Sequence, residues 1–160
     1  MNASVVTVSD RSARGEREDL SGPALAQALT DADWEVVSRV VVPDDKLAIV
    51  ETLLSLCDES GVNLLLTTGG TGAGPRDVTP EATHMVVERP FPGIAEALRR
   101  ESEKYSKYAI LSRGIAGSRG HTLIVNLPGN PKAIAELWPV LAPVVGHACR
   151  LLAGTDDPHN

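Results

Sequence analysis

Residues 4–8, Ser-Val-Val-Thr-Val, form a short β-branched run that stops at the polar Ser9-Asp10-Arg11, and they predict a first strand. A charged, Gly-containing loop follows, through Ser21-Gly22-Pro23. Leu25, Leu29 and Ala32 then recur at i, i+4 and i+7, the spacing of one helix face. Residues 35–42 are β-branched and weakly alternating, a second strand that Pro43 stops. Asp44 and Asp45 precede Leu47, Val50, Leu53, Leu54 and Cys57, an apolar helical stripe that Gly61 ends. Residues 62–68 are mostly apolar and of strand length, as a buried parallel strand requires. Strand, helix, strand, helix, strand is the order of a right-handed βαβαβ unit, so an α/β fold with a mostly parallel sheet is expected.

The second half alternates less cleanly. Thr79-Pro80 opens a helix, with Thr79 as N-cap and Pro80 at the first helical position; Pro90 and Pro92 break it. A helix is expected over residues 94–105 and strands over 109–115 and 122–127, joined by the turn Gly117-Ser118-Arg119-Gly120. Pro131 starts a last helix that runs to about Leu152, with interruptions expected at Pro139 and Pro143. No repeat or linker divides the chain, so residues 1–154 are expected to form one domain and 155–160 a disordered tail.

Composition narrows the function. The chain has 160 residues and a net charge of −6, and only 3% of it is aromatic, so basic stripes and stacking platforms for nucleic acid are missing. With no basic and apolar leader and no apolar run near the ~18 residues of a membrane span, a soluble cytoplasmic protein is expected. Cys57 and Cys149 lack paired spacing and read as small buried apolar side chains. His84, His121, His147 and His159 form no zinc pattern.

In an open parallel sheet, ligands sit beyond the carboxyl ends of the strands. Four polar or Gly-rich loops fall there: Ser9-Asp10-Arg11, Pro43-Asp44-Asp45, the stretch 69–77, and Pro128-Gly129-Asn130-Pro131-Lys132. The glycines at 69, 70, 72 and 74 allow backbone N–H groups to approach an anion closely. The stretch is neither a Walker A loop nor a dinucleotide GxGxxG, and a plain mobile turn explains it as well. Asn130 reads equally as a helix cap or as the rim of an anion site completed by Lys132. Asp44 reads as a helix cap shared with Asp45, and Asp77 as a surface partner of Arg76. Alternatively, both carboxylates point into the cleft and hold Mg²⁺ against phosphate oxygens.

Two long blocks add a resemblance. Thr67-Thr68-Gly69-Gly70-Thr71-Gly72 with Pro75-Arg76-Asp77-Val78-Thr79-Pro80-Glu81-Ala82-Thr83 is the first. The second is Leu111-Ser112-Arg113, Ala116-Gly117, Arg119-Gly120 and then Thr122-Leu123-Ile124-Val125-Asn126-Leu127-Pro128-Gly129-Asn130-Pro131-Lys132-Ala133. Both resemble the Mog/MoaB family of molybdenum cofactor biosynthesis, related to the adenylyltransferase domains of plant Cnx proteins and gephyrin. The opening Thr7-Val8-Ser9-Asp10-Arg11 and the Ser21-Gly22-Pro23 turn match the same family.

The resemblance implies a three-layer α/β sandwich of the Rossmann-like molybdopterin-binding type, assembled as a homotrimer. It implies adenylyl transfer from ATP to the terminal phosphate of molybdopterin with release of pyrophosphate, and a separate protein for molybdate insertion. Asp44 and Asp77 match the acidic catalytic and Mg²⁺-holding positions, and Ser112 matches a serine that holds molybdopterin. Gly70, Thr71 and Gly72 line the pocket by the same likeness; Ser9, Asp10, Gly69, Pro128, Gly129, Asn130 and Lys132 complete the expected binding set. Some relatives have lost the two acidic positions and only bind molybdopterin, which is the alternative; this chain keeps both.

Overall fold

The computed structural model describes residues 1–155. The sheet contains β1 (Asn2–Val8), β2 (Glu35–Val42), β3 (Leu64–Thr68), β4 (Arg89–Pro90), β5 (Ala116–Arg119) and β6 (Thr122–Leu127), in the order β2-β1-β3-β6-β5-β4. β1 pairs parallel with β2 and β3, and β3 with β6, while β5 and β4 continue the sheet antiparallel. The helices are α1 (Asp10–Ala13), α2 (Ser21–Asp31), α3 (Lys46–Leu54), α4 (Thr79–Val86), α5 (Pro92–Glu103) and α6 (Pro131–Leu152).

Side chains alternate across the sheet and make two cores, as the period of two in a strand dictates. Val5, Leu66 and Val125 pack on one face with Leu25 and Leu29 of α2, Leu98 of α5, and Leu137 and Leu141 of α6. Val6, Leu65 and Ile124 pack on the other with Ile49 and Leu53 of α3 and Ala82 and Val86 of α4. The result is the expected three-layer α/β sandwich. All four parallel strands end on one edge, so the loops after β1, β2, β3 and β6 converge there.

Several local expectations need correction. Residues 109–115 are not a strand: Lys107–Leu111 is a 3₁₀ turn and β5 starts only at Ala116. Ile110 and Leu111 are 64% and 55% exposed, so this apolar run is not drawn into the sheet. Residues 117–119 of the expected turn instead belong to β5, leaving Gly120, with φ +51°, to reverse the chain. α6 runs unbroken through Pro139 and Pro143. Both prolines lie on its exposed side, while Ile134, Leu137, Leu141, Val145 and Cys149 bury the opposite stripe. That burial outweighs the roughly 3 kcal/mol that each interior proline costs. Thr79 is the first residue of α4 rather than its cap. The helix after β2 ends in one π turn, Ser55–Glu59. Of the expected tail, all but Thr155 lies outside the described residues.

Both cysteines are buried, as expected. Burial pushes the Cys57 thiol up to about 11 and the Cys149 thiol up to about 12. Since the thiolate is the nucleophile, iodoacetamide at pH 8 is expected to leave both unmodified in the folded protein and to alkylate both in urea. Intact mass checks this; a carboxamidomethyl group on the folded chain would contradict it.

Candidate active site

The convergent loops enclose a cleft of two lobes, one of about 610 Å³ and one of about 230 Å³. They share Gly69, Gly70, Asp77 and Gly129 as a common wall. The larger lobe is mostly apolar, lined by Leu98 of α5, Tyr105, Tyr108 and Leu111 together with the glycine loop. The smaller is polar, with Ser9, Asp19, Ser21 and Asp44.

The glycine loop has an uneven use of its backbone. Gly69 O accepts from Thr79 Oγ1 at 2.9 Å and Gly70 O from Thr79 N at 3.1 Å. Thr71 O accepts from Arg113 N at 2.9 Å and Gly72 O from Arg113 Nε at 2.7 Å. Among the described residues no acceptor takes the N–H groups of Gly70, Thr71 or Gly72. With the carbonyls engaged elsewhere, a short run of unpaired donors lines the cleft, which is the makeup of an anion cradle.

Neither carboxylate takes the cap or ion-pair part that the sequence also allowed. Asp45, not Asp44, caps α3, accepting from Ala48 N at 2.9 Å. Asp44 instead accepts the Asp10 N–H through Oδ2 at 2.8 Å, and its own N–H goes to Asp10 Oδ1 at 3.0 Å. Arg76 does not pair with Asp77; it grips Asp10 with Nε and Nη2 at 2.9–3.0 Å. Asp77 Oδ2 accepts from Gly74 N at 2.8 Å within its own turn. Asp10 thus lines neither lobe but ties Asp44 to the tip of the glycine loop.

Charge at this point is unbalanced. Burial, reinforced by the neighbouring charges of Asp10 and Asp77, pushes the Asp44 carboxyl above its ordinary value despite the Asp10 N–H and the more distant Arg76. Burial also opposes ionisation of Asp10, but the Arg76 guanidinium and the hydrogen bond with Asp44 win and hold it low. These are hard oxygen donors under electrostatic pressure that a divalent cation relieves. Among the described residues no group of three or more His, Cys, Asp or Glu forms a ready-made metal cage. One or two carboxylates beside open space fit Mg²⁺, which keeps several waters and takes the rest of its ligands from phosphate.

The other expected residues fall into place around this wall. Ser112, Pro128, Gly129, Asn130 and Lys132 line the larger lobe with Gly69, Gly70, Thr71 and Gly72. Asn130 is the cap of α6, its side chain accepting from Lys132 N at 3.0 Å, so the cap reading holds while the residue also stands on the rim. Lys132 extends into solvent, its side chain 83% exposed and its Nζ 3.9 Å from Glu136.

The profile of the probable molybdopterin binding domain matches residues 4–147, which takes in every loop of the cleft. The chain belongs to this family. Among molybdopterin-binding-domain proteins it is 41% identical over 152 residues to the molybdopterin adenylyltransferase of Helicobacter pylori, spanning 94% of this chain and 86% of that one. It is 44% identical over 135 residues to the Escherichia coli protein of the same name, spanning 82% and 69% of the two chains. The crystal structure of the molybdopterin biosynthesis enzyme MoaB from Thermus thermophilus superposes with a TM-score of 0.90 at 43% identity, covering 96% of each chain. The Mog protein from Mycobacterium ulcerans superposes at 0.88 with 38% identity, covering 94% and 98%.

Four residues of this family member's site were not assigned to it in the sequence analysis. Arg99 is half-buried in the larger lobe and donates through Nη1 to Gly114 O at 2.8 Å. It lies four residues from the buried Ala95, so a helical projection of α5 places it on the inward face. Asn126 is buried beneath the cleft and donates to Thr67 Oγ1 and Thr83 Oγ1, both at 2.9 Å. Thr79 and Arg113 hold the glycine loop from outside it. No local pattern announces these last three, since their partners lie 9 to 59 residues away.

Proposed function

We propose that this chain is a Mg²⁺-dependent molybdopterin adenylyltransferase, which joins AMP from ATP to the terminal phosphate of molybdopterin and releases pyrophosphate. The observation that carries the reading is the common wall. Two lobes meet at Gly69, Gly70, Asp77 and Gly129, with the unpaired N–H groups of Gly70, Thr71 and Gly72 along the larger lobe and the Asp44 carboxylate in the smaller. The curated names of the Helicobacter and Escherichia relatives support the same chemistry.

The chain's own part is positioning and charge stabilisation. The molybdopterin phosphate oxygen attacks the ATP α-phosphorus, and the bond to pyrophosphate breaks. The N–H groups of Gly70, Thr71 and Gly72 donate to oxygens on which charge develops. Asp44 and Asp77 would hold Mg²⁺, which when bound offsets phosphate charge that bare carboxylates repel. Ser112 and the apolar wall of the larger lobe orient the ring system, and Ser9 lines the smaller lobe. Asp10 fixes Asp44. No described helix is long and apolar enough to cross a membrane. By family likeness the protein works as a cytoplasmic homotrimer and hands its product to a separate molybdate-insertion protein.

The test is pyrophosphate release from purified protein supplied with molybdopterin, ATP and Mg²⁺, repeated without Mg²⁺ and with Asp77→Asn. Release that needs both substrates, stops on metal removal and falls at least about tenfold in the variant, roughly 1.4 kcal/mol of barrier, is expected. Tight molybdopterin binding with no release would make the chain a carrier and reject the enzyme.

A further inference from the structure

Residues 69–78 must carry the chain from the end of β3 to the start of α4 while presenting both the donor cradle and Asp77. The segment is glycine-rich, and residues 73–76 are exposed. Hydrophobic burial therefore does little to shape it. Its shape comes from hydrogen bonds, and beyond those of Thr79 and Asp77 three of them lead to one residue that the proposed chemistry does not use.

Arg113 lies in the connection between the 3₁₀ turn and β5. Its main-chain N–H donates to Thr71 O at 2.9 Å. Its guanidinium then spans the arc, with Nε on Gly72 O at 2.7 Å and Nη2 on Asp77 O at 2.6 Å. The third nitrogen, Nη1, pairs with Glu81 in the first turn of α4. That pairing draws the Glu81 carboxyl below its ordinary value. One planar fork thus closes the chord between the first and last residues of the arc 72–77 and references it to a helix. Arg76 also tethers the loop, through Asp10, but from its outer tip and with a side chain 67% exposed.

We propose that Arg113 is a positioning residue: its fork holds arc 72–77 in the shape that keeps the Asp77 carboxylate in the wall between the lobes, next to the donor cradle that Thr79 holds from the other end. It touches neither substrate nor the reacting atoms. Its main-chain N–H on Thr71 O fixes the peptide group that carries the Gly72 N–H, while Thr79, on Gly69 O and Gly70 O, fixes those that carry the Gly70 and Thr71 N–H groups. A lysine in its place keeps the charge and one donor direction but has no rigid fork to bridge two carbonyls. The inference deepens the adenylyl-transfer reading and rests on it for its catalytic consequence.

Arg113→Lys tests it with two independent readouts. In the substrate-free protein, amide hydrogen exchange at Gly74 and Asp77, the hydrogen-bonded N–H groups of the arc, is expected to speed up at least about tenfold, while β3 and α6 keep their protection. In pyrophosphate release, kcat is expected to fall at least about tenfold with KM for ATP within about twofold, the pattern of a misplaced group rather than of lost binding. Unchanged exchange at Gly74 and Asp77 would overturn the staple whatever the activity. Faster exchange with wild-type kcat would overturn its role in positioning, as would a loss confined to KM. If the wild-type protein releases no pyrophosphate, it is the adenylyl-transfer reading that fails, and exchange alone then decides whether Arg113 staples the arc.

Discussion

Gly69→Ala is expected to lower the melting temperature by at least about 5 °C. Gly69 has φ +102°, a conformation that costs a non-glycine residue about 1–3 kcal/mol. A Cβ there would lie 2.3 Å from Val8 O, a main-chain atom at the end of the buried strand β1. No side chain can swing aside to make room, so one strand end must move. Gly129 closes the other side, since a Cβ on it would stand 3.0 Å from Gly69 Cα. Overpacking of this kind adds about 1–3 kcal/mol, and each kcal/mol shifts a domain of this size by roughly 2–4 °C. Circular dichroism on heating checks the result; a shift under about 2 °C would mean that the ends of β1, β3 and β6 have slack the packing does not show.

Asp44→Asn is expected to do the opposite to stability and the worst to activity. Pyrophosphate release should fall at least about tenfold, because the amide carries no charge for the cation. Yet the melting temperature of the substrate-free, metal-free protein at pH 7 should stay level or rise. The Asp44 carboxyl is pushed up in the folded state by burial and by Asp10 and Asp77. With the folded value above the unfolded one, the unfolded chain gives up its proton first as pH rises. Stability contributed by this group is therefore present below the ordinary aspartate range and is lost as pH climbs through the raised value. An asparagine removes that loss and can still accept the Asp10 N–H. The variant should accordingly lose less stability than wild type as pH rises from about 4. A drop of several degrees at pH 7, with activity gone, would assign Asp44 to the scaffold instead.

Most of the architecture was legible because the parallel strands advertise themselves. Residues 4–8, 35–42 and 62–68 are apolar runs of strand length, and the stops that follow them are the loops of the cleft. The antiparallel extension was not legible, because β4 has two residues, one of them Pro90, and its pairing with Gly117 and Ser118 is decided across the fold. Adjacent identical residues defeated the assignment of the cap. Asp44 and Asp45 are equivalent in sequence, and only Asp10, 34 residues earlier, draws one into the site and leaves the other on the helix. The apolar residues 109–111 misled for a related reason: Ala109 and Leu111 line the larger lobe instead of joining a core.

The strand order also says how the protein must come into being during synthesis. β1, the earliest of these six strands in the chain, lies inside the sheet, and β2 and β3 close on both its edges before residue 70 has been added. That N-terminal half can form as a unit. Its β3 edge then stays bare, with Leu64, Leu65 and Leu66 on it, until β6 is made some 55 to 60 residues later. A naked strand edge is a template for other chains. The nascent protein is thus most prone to aggregate while its second half is on the ribosome, and the loop that follows β6 is the last wall of the cleft to arrive. The bare β3 edge is thus covered by the same strand that leads into the last loop of the cleft.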